Sequence, residues 1–145
     1  MEVFIKHFSQ LSAAELFEIY RLRVSVFVVE QNCPYQEVDE ADKSAYHIWL
    51  RDEEGVQAYA RVLPPGVMAP AAAIGRVIAV KRRCGMGSRI VLAAIDAAKE
   101  KFGAQRIVLE AQSYAQPFYE TLGFCRTSEE FLEDGIPHVW MEREG

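Results

Sequence analysis

The chain has 145 residues, 50% hydrophobic and 26% charged, which suits one globular domain over residues 1–145 with a single buried core. Its net charge of −5 excludes the basic face a general nucleic-acid binder needs, and it is compatible with a cationic small partner. No apolar run approaches the roughly 18 residues of a membrane span, and Met1–His7 lacks the basic and apolar regions of a secretory leader, so the expectation is a cytoplasmic protein with no membrane partner.

In chain order, Glu2–Phe8 alternates as a first strand. Ser12-Ala-Ala-Glu15 is a capping box that opens a helix with Leu16, Ile19, Leu22 and Val26 on one face, and Pro34 closes that segment. The loop from Pro34 to Lys43 holds Glu37, Asp39, Glu40 and Asp42. It reads as a solvated acidic loop, with a lure for an amine as the alternative.

Tyr46–Leu50 and Val56–Val62 form a hairpin around Asp52-Glu-Glu-Gly55, followed by a proline-rich loop up to Pro70. Ile74–Val80 is a β-branched run of strand length. After a basic, glycine-containing turn comes a helix whose apolar face is Ile90, Val91, Ala94, Ile95, Ala98 and Phe102, stopped by Gly103. Arg106–Ala111 is the next strand, Tyr114 or Ala115 to Leu122 a short helix ended by Gly123, and Phe124–Thr127 and Ile136–Glu142 the last pair of strands. This order predicts an α/β (α+β) mixed sheet with helices on both faces.

The turn Arg82-Arg83-Cys84-Gly85-Met86-Gly87-Ser88 has chemistry of its own. A helix start presents unpaired N–H groups and a partial positive charge, glycines let a ligand approach the backbone, and the arginines add charge, so the guest is a phosphate or pyrophosphate. The Gly-x4-Gly-Lys-Ser/Thr loop and the three-glycine dinucleotide fingerprint are both absent. Cys33, Cys84 and Cys125 are widely spaced and odd in number, which suits a reducing compartment and predicts no metal.

The pattern Arg-x-x-Gly-x-Gly at Arg82, Gly85 and Gly87, the strand Arg106–Ala111, and the run Phe118-Tyr119-Glu-Thr-Leu-Gly123-Phe124 together resemble the GNAT superfamily of acetyl-CoA-dependent N-acetyltransferases. Leu22–Asp42 and Glu133–Glu144 resemble its ElaA-type branch, so most of the chain is covered. The resemblance implies a mostly antiparallel sheet of six to seven strands, splayed between the fourth and fifth to admit the pantetheine arm of acetyl-CoA. It implies that the backbone of Ile78, Ala79 and Val80, the turn from Arg82 to Ser88, and Gln112, Phe118 and Tyr119 hold the cofactor. Gln112 is longer by a methylene than the asparagine many relatives carry there. Tyr119 matches the family tyrosine that protonates the departing thiolate; core packing by Phe118 and Tyr119 is the simpler alternative.

The general base stays open at this point. His138, after Ile136-Pro137, has a reference pKa of about 6.5 that suits taking a proton from an ammonium, and Glu110 is the alternative. Arg23, Glu30 and Gln31 resemble the acceptor side of the ElaA-type cleft, although Arg23 could instead pair with the acidic loop. The acceptor is then a small-molecule amine, and the exposed edges of the sheet leave room for a homodimer. Two other readings stand beside this one. Leu22-Arg23-x-x-Val26-Phe27 with Glu40 and Asp42 is also similar to acyl-homoserine-lactone synthases, and a non-catalytic acyl-CoA-binding module would keep the cleft without turnover.

Overall fold

The structure is a computed structural model that describes residues 1–81 and 84–145. Its strands are β1 (Glu2–His7), β2 (Tyr46–Asp52), β3 (Gly55–Leu63), β4 (Ala72–Ala79), β5 (Arg106–Gln112), β6 (Cys125–Arg126), β7 (Phe131–Glu133) and β8 (Ile136–Glu144). Its helices are α1 (Ala13–Val24), α2 (Met86–Phe102) and α3 (Gln116–Glu120). The strands form one mixed sheet in the order β1-β2-β3-β4-β5-β8-β6, with β7 paired to β8. Every pairing is antiparallel except that of β4 with β5. The eighth strand, β7, was not legible in the sequence: it is three residues long and pairs only with the start of β8.

The caps behave as the residues dictate. The Ser12 hydroxyl accepts from the Glu15 N–H at 3.1 Å while the Glu15 carboxylate accepts from the Ser12 N–H at 2.9 Å. Beyond Val24 the chain widens into a π-helical stretch, Ser25–Glu30, where the amide of Cys33 reaches back to the Val28 carbonyl. Gly103 ends α2 in the left-handed region, and its N–H bonds to the Lys99 carbonyl at 2.9 Å.

Helices lie on both faces because the sheet is apolar on both faces. Ile90, Val91, Ala94, Ile95 and Ala98 of α2 pack against Ala58, Ala60, Ile74, Ile107 and Leu109. On the other face Ile19 of α1 packs with Trp49, Tyr59 and Ile78. β3, buried along its whole length, is the shared spine.

One irregularity positions everything that follows. β4 and β5 pair only at Ala72↔Ile107 and Ala73↔Val108, and then part. On the other side of β4 the register with β3 shifts between Tyr59 and Arg61, where Arg76 is left over with φ of 56°. A left-handed arginine in a strand is a costly conformation that surrounding contacts must hold, and it falls in the part of β4 that no longer pairs with β5.

Candidate active site

Where β4 and β5 separate, a cleft of about 950 Å³ opens between the two halves of the sheet. Ile78 and Ala79 of β4, Gly87 of α2, and Phe118 and Tyr119 of α3 line it. So do Gln31, Arg76, Glu110, Gln112, Glu133, Asp134 and His138. Residues as far apart in sequence as Val26 and His138 thus share one space.

The α2 end is a helix N-terminus approached by glycines. Gly85 caps it with φ of 73°, and a Cβ built there would meet nothing within 4 Å. That leaves open backbone beside unpaired amides, the arrangement a phosphate group accepts. Met86 and Ser88 are half-buried and Cys84 is exposed; Arg82 and Arg83 lie outside the described residues. Gly87 has a second reason to be glycine. A Cβ there would stand 3.3 Å from Phe118 Cζ, so α2 and α3 touch through this position. Gly87→Val is expected to displace the Phe118 ring and destabilise the fold by about 1–3 kcal/mol, measured by urea denaturation.

Tyr119 sits behind that contact. It is 9% exposed, its ring meets Phe118 and Phe124 edge to face at 5.0 and 6.0 Å, and it lines the cleft. Burial pushes its phenol well above the ordinary value, so the group is a proton donor at any physiological pH. Val80 departs from the expected cofactor strand: its N–H is taken by the Gln57 carbonyl at 2.9 Å, and the residue does not line the cleft.

On the opposite wall, β5 and β8 run antiparallel with Glu110 opposite Trp140 and Gln112 opposite His138. Alternation puts Glu110, Gln112, His138 and Trp140 on one face, while Leu109, Ala111, Val139 and Met141 face the α2 core. Glu110 and His138 are therefore diagonal neighbours. Burial pushes the Glu110 carboxyl above its ordinary value; Glu133 and Asp134 add to the shift, and His138 and Arg76 oppose it. His138 Nδ1 lies 2.7 Å from the Ile136 carbonyl. A carbonyl only accepts, so Nδ1 carries a proton, and in the neutral ring the lone pair is on Nε2.

The acidic loop is not the solvated loop expected from its composition. Glu37 is 2% exposed and Asp42 fully buried, because Arg23 comes in beneath them. Arg23 Nε donates to the Glu37 carboxylate at 3.1 Å, and Nη1 donates to Asp42 Oδ1 at 2.7 Å. Arg61 Nη1 bonds Asp39 at 2.6 Å and Asp42 at 3.0 Å. Arg76 grips the Glu37 carboxylate and donates to its carbonyl at 2.8 Å. Three cations and three carboxylates balance, and this clamp holds Arg76 in its left-handed conformation.

Of the two roles the sequence offered Arg23, the geometry fits pairing with the acidic loop: it is fully buried and lies outside the cleft lining. Glu30 is exposed and away from the cleft, whereas Gln31 lines it and accepts from Gln112 Nε2 at 3.5 Å. Sequence reasoning passed over Arg61, Arg76, Cys33, Tyr35, Glu133 and Asp134 as cleft residues. Arg61 and Arg76 carried a signal, each a lone cation inside an apolar strand; the others became neighbours only by folding.

His47 is enclosed by the same clamp. Its Nε2 donates to the Asp42 carbonyl at 3.0 Å and its Nδ1 accepts from the Tyr59 hydroxyl at 2.7 Å. Burial holds its pKa below the ordinary histidine value. The unfolded chain therefore takes up a proton that the folded one refuses, so stability is present above pH of about 6.5 and is lost as pH falls below it. Asp42 acts in the same direction at lower pH: burial alone would raise it, but Arg23 and Arg61 hold it below the ordinary carboxylate range. We expect the unfolding free energy to fall from pH 7.5 to 5.5 by up to about 1.4 kcal/mol per pH unit, and His47→Gln to be less stable with that slope flattened.

Comparison with known proteins follows the same lines. The profile of the Acetyltransferase (GNAT) domain family matches residues 24–144. The chain belongs to the GNAT acetyltransferase family. Among individual relatives, it is 43% identical to a UPF0039 protein of Schizosaccharomyces pombe over 99% of this chain and 97% of the other. It is 38% identical to protein ElaA of Escherichia coli over 95% of this chain and 93% of that one. The crystal structure of ElaA superposes with a TM-score of 0.91 at 35% identity, covering 99% of each chain. An acyl-CoA N-acyltransferase of Pseudomonas aeruginosa superposes with a TM-score of 0.92 at 36% identity, again over 99% of each. A CoA-dependent acyl-homoserine lactone synthase shares the fold alone, at 14% identity and a TM-score of 0.78, covering 98% of this chain and 82% of that one.

Proposed function

We propose that the protein is an N-acetyltransferase that moves an acetyl group from acetyl-CoA to a primary amine of a small acceptor by direct attack, with both substrates bound together. The observation that carries this reading is that a neutral phenol, Tyr119, and the groups Glu110 and His138 line one cleft at the gap between β4 and β5. The open backbone at Gly85 and the start of α2 suit a pyrophosphate, and the parted edges of β4 and β5 suit an amide-bearing arm. Bound acetyl-CoA would supply the thioester.

His138 Nε2 takes the excess proton from the acceptor nitrogen, directly or through water, and Glu110 is the alternative base. The nitrogen lone pair forms the new C–N bond as the C–S bond breaks. Tyr119 gives its proton to the departing sulfur in step with departure, because burial makes a phenolate costly, and regains one as the new amide nitrogen sheds its second excess proton through solvent. Glu110, Glu133 and Asp134 form no ion pair among the described residues, so that wall attracts an ammonium group. The apolar Leu63, Val67 and Met68, which also line the cleft, favour an acceptor with an apolar body. An acyl-homoserine-lactone-synthase-like activity is the second reading, resting on the shared fold.

The test is a panel of primary amines with acetyl-CoA, read by thiol release and product mass. Acetylated amine without any requirement for an acyl carrier protein supports the proposal. Binding of neither acetyl-CoA nor CoA in isothermal titration removes the cleft assignment. Product only from an acylated carrier protein moves the protein to the second reading.

A further inference from the structure

We propose that Phe131 is a positioning residue that fixes the plane of the His138 imidazole, and so keeps Nδ1 on the Ile136 carbonyl and Nε2 presented as a base; this rests on the reading of His138 above. Phe131 lies on β7, directly opposite His138 in the β7–β8 pairing. Its ring stacks on the imidazole with centroids 6.2 Å apart and planes 25° apart. The same ring stacks on Trp140 at 6.5 Å and 29°. Side chains two apart on β8 share a face, so one phenyl spans both.

Trp140 is the anchor of this row. It packs against the core cluster of Ala45, Leu63, Ala73 and Val108, and its backbone is held by Thr127 and Ser128. Its N–H donates to the Ser128 hydroxyl at 2.9 Å and its carbonyl accepts from the Thr127 N–H at 2.9 Å. Rigidity thus passes from the core to Trp140, from Trp140 to Phe131, and from Phe131 to the imidazole plane.

Two restraints act on His138 and neither suffices alone. The hydrogen bond from Nδ1 to the Ile136 carbonyl selects the tautomer, but a bond at a single ring atom leaves the ring able to rotate about it. The stack removes that rotation, because offset-stacked rings keep their planes together. With both in place Nε2 is the atom left for the acceptor. The short strand β7 earns its place in the fold by carrying this ring.

Phe131→Leu keeps an apolar strand residue and removes the ring plane; Phe131→Met is a second, longer and more flexible variant should the first fail to fold. Two readouts are taken. Long-range 1H–15N spectra of the imidazole need no turnover: the wild type is expected to show one Nδ1–H tautomer for His138, and the variants a mixture. Steady-state kinetics with an accepted amine are expected to show kcat lower by roughly ten- to a hundredfold, an unchanged KM for acetyl-CoA, and recovery in Phe131→Tyr. In a His138→Ala background the Phe131 change is expected to have no further effect.

A single unchanged tautomer in both variants overturns the proposal, as does an unchanged kcat. Absence of amine turnover by the wild type would instead strike the proposed function, while the tautomer measurement would still decide whether Phe131 orders the ring.

Discussion

Tyr119→Phe is expected to lower kcat by roughly 10²–10⁴-fold while leaving acetyl-CoA affinity and Tm close to those of the parent. The phenyl ring of the variant keeps the edge-to-face contacts with Phe118 and Phe124, so the packing of α3 on the sheet survives and only the proton donor is removed. A thiolate leaving without a donor must depart as an anion into a buried end of the cleft, where charge is poorly solvated. The measurement is steady-state thiol release with isothermal titration of acetyl-CoA on the same samples. An unaltered kcat would take Tyr119 out of the reaction and leave it as a packing residue.

Arg23→Ala is expected to cost about 3–5 kcal/mol of stability, read from urea denaturation at constant pH. The loss comes mainly from what stays behind. Glu37 and Asp42 remain buried with part of their compensation gone, and the space left between the rings of Tyr20 and Tyr59 adds a cavity. Arg61 and Arg76 still face the carboxylates, so the clamp loosens rather than vanishes. Because Glu37 is also the partner that holds Arg76 in its left-handed conformation, the bulge in β4 loosens with it. A loss under about 1 kcal/mol would mean that the clamp behaves as exposed ion pairs do.

Much of the architecture follows from local sequence. The 3.6-residue recurrence of Ile90, Val91, Ala94, Ile95 and Ala98 determined α2 and its buried face, and Ser12 with Glu15 determined where α1 starts. Gly103 and Gly123, both at positive φ, determined where α2 and the α3 turn stop. The glycine-bearing turn and the Phe118-Tyr119 pair carried the family resemblance, and with it the splayed sheet later found between β4 and β5. These signals are legible because each rests on residues within a few positions of one another.

The tertiary structure decided the rest. Charge in Pro34–Lys43 read as solvent-seeking because a local window cannot see Arg23, Arg61 and Arg76, which arrive from α1, β3 and β4 to neutralise it. β7 went unseen because three residues give no period, and its existence depends on β8 offering an edge. Which face of the sheet Glu110 and His138 share depends on the β5–β8 register, a pairing across about 30 residues that local sequence does not encode. Sequence by itself named a phenol, an imidazole and a carboxylate; only the register and the parting of β4 from β5 put them around one cleft.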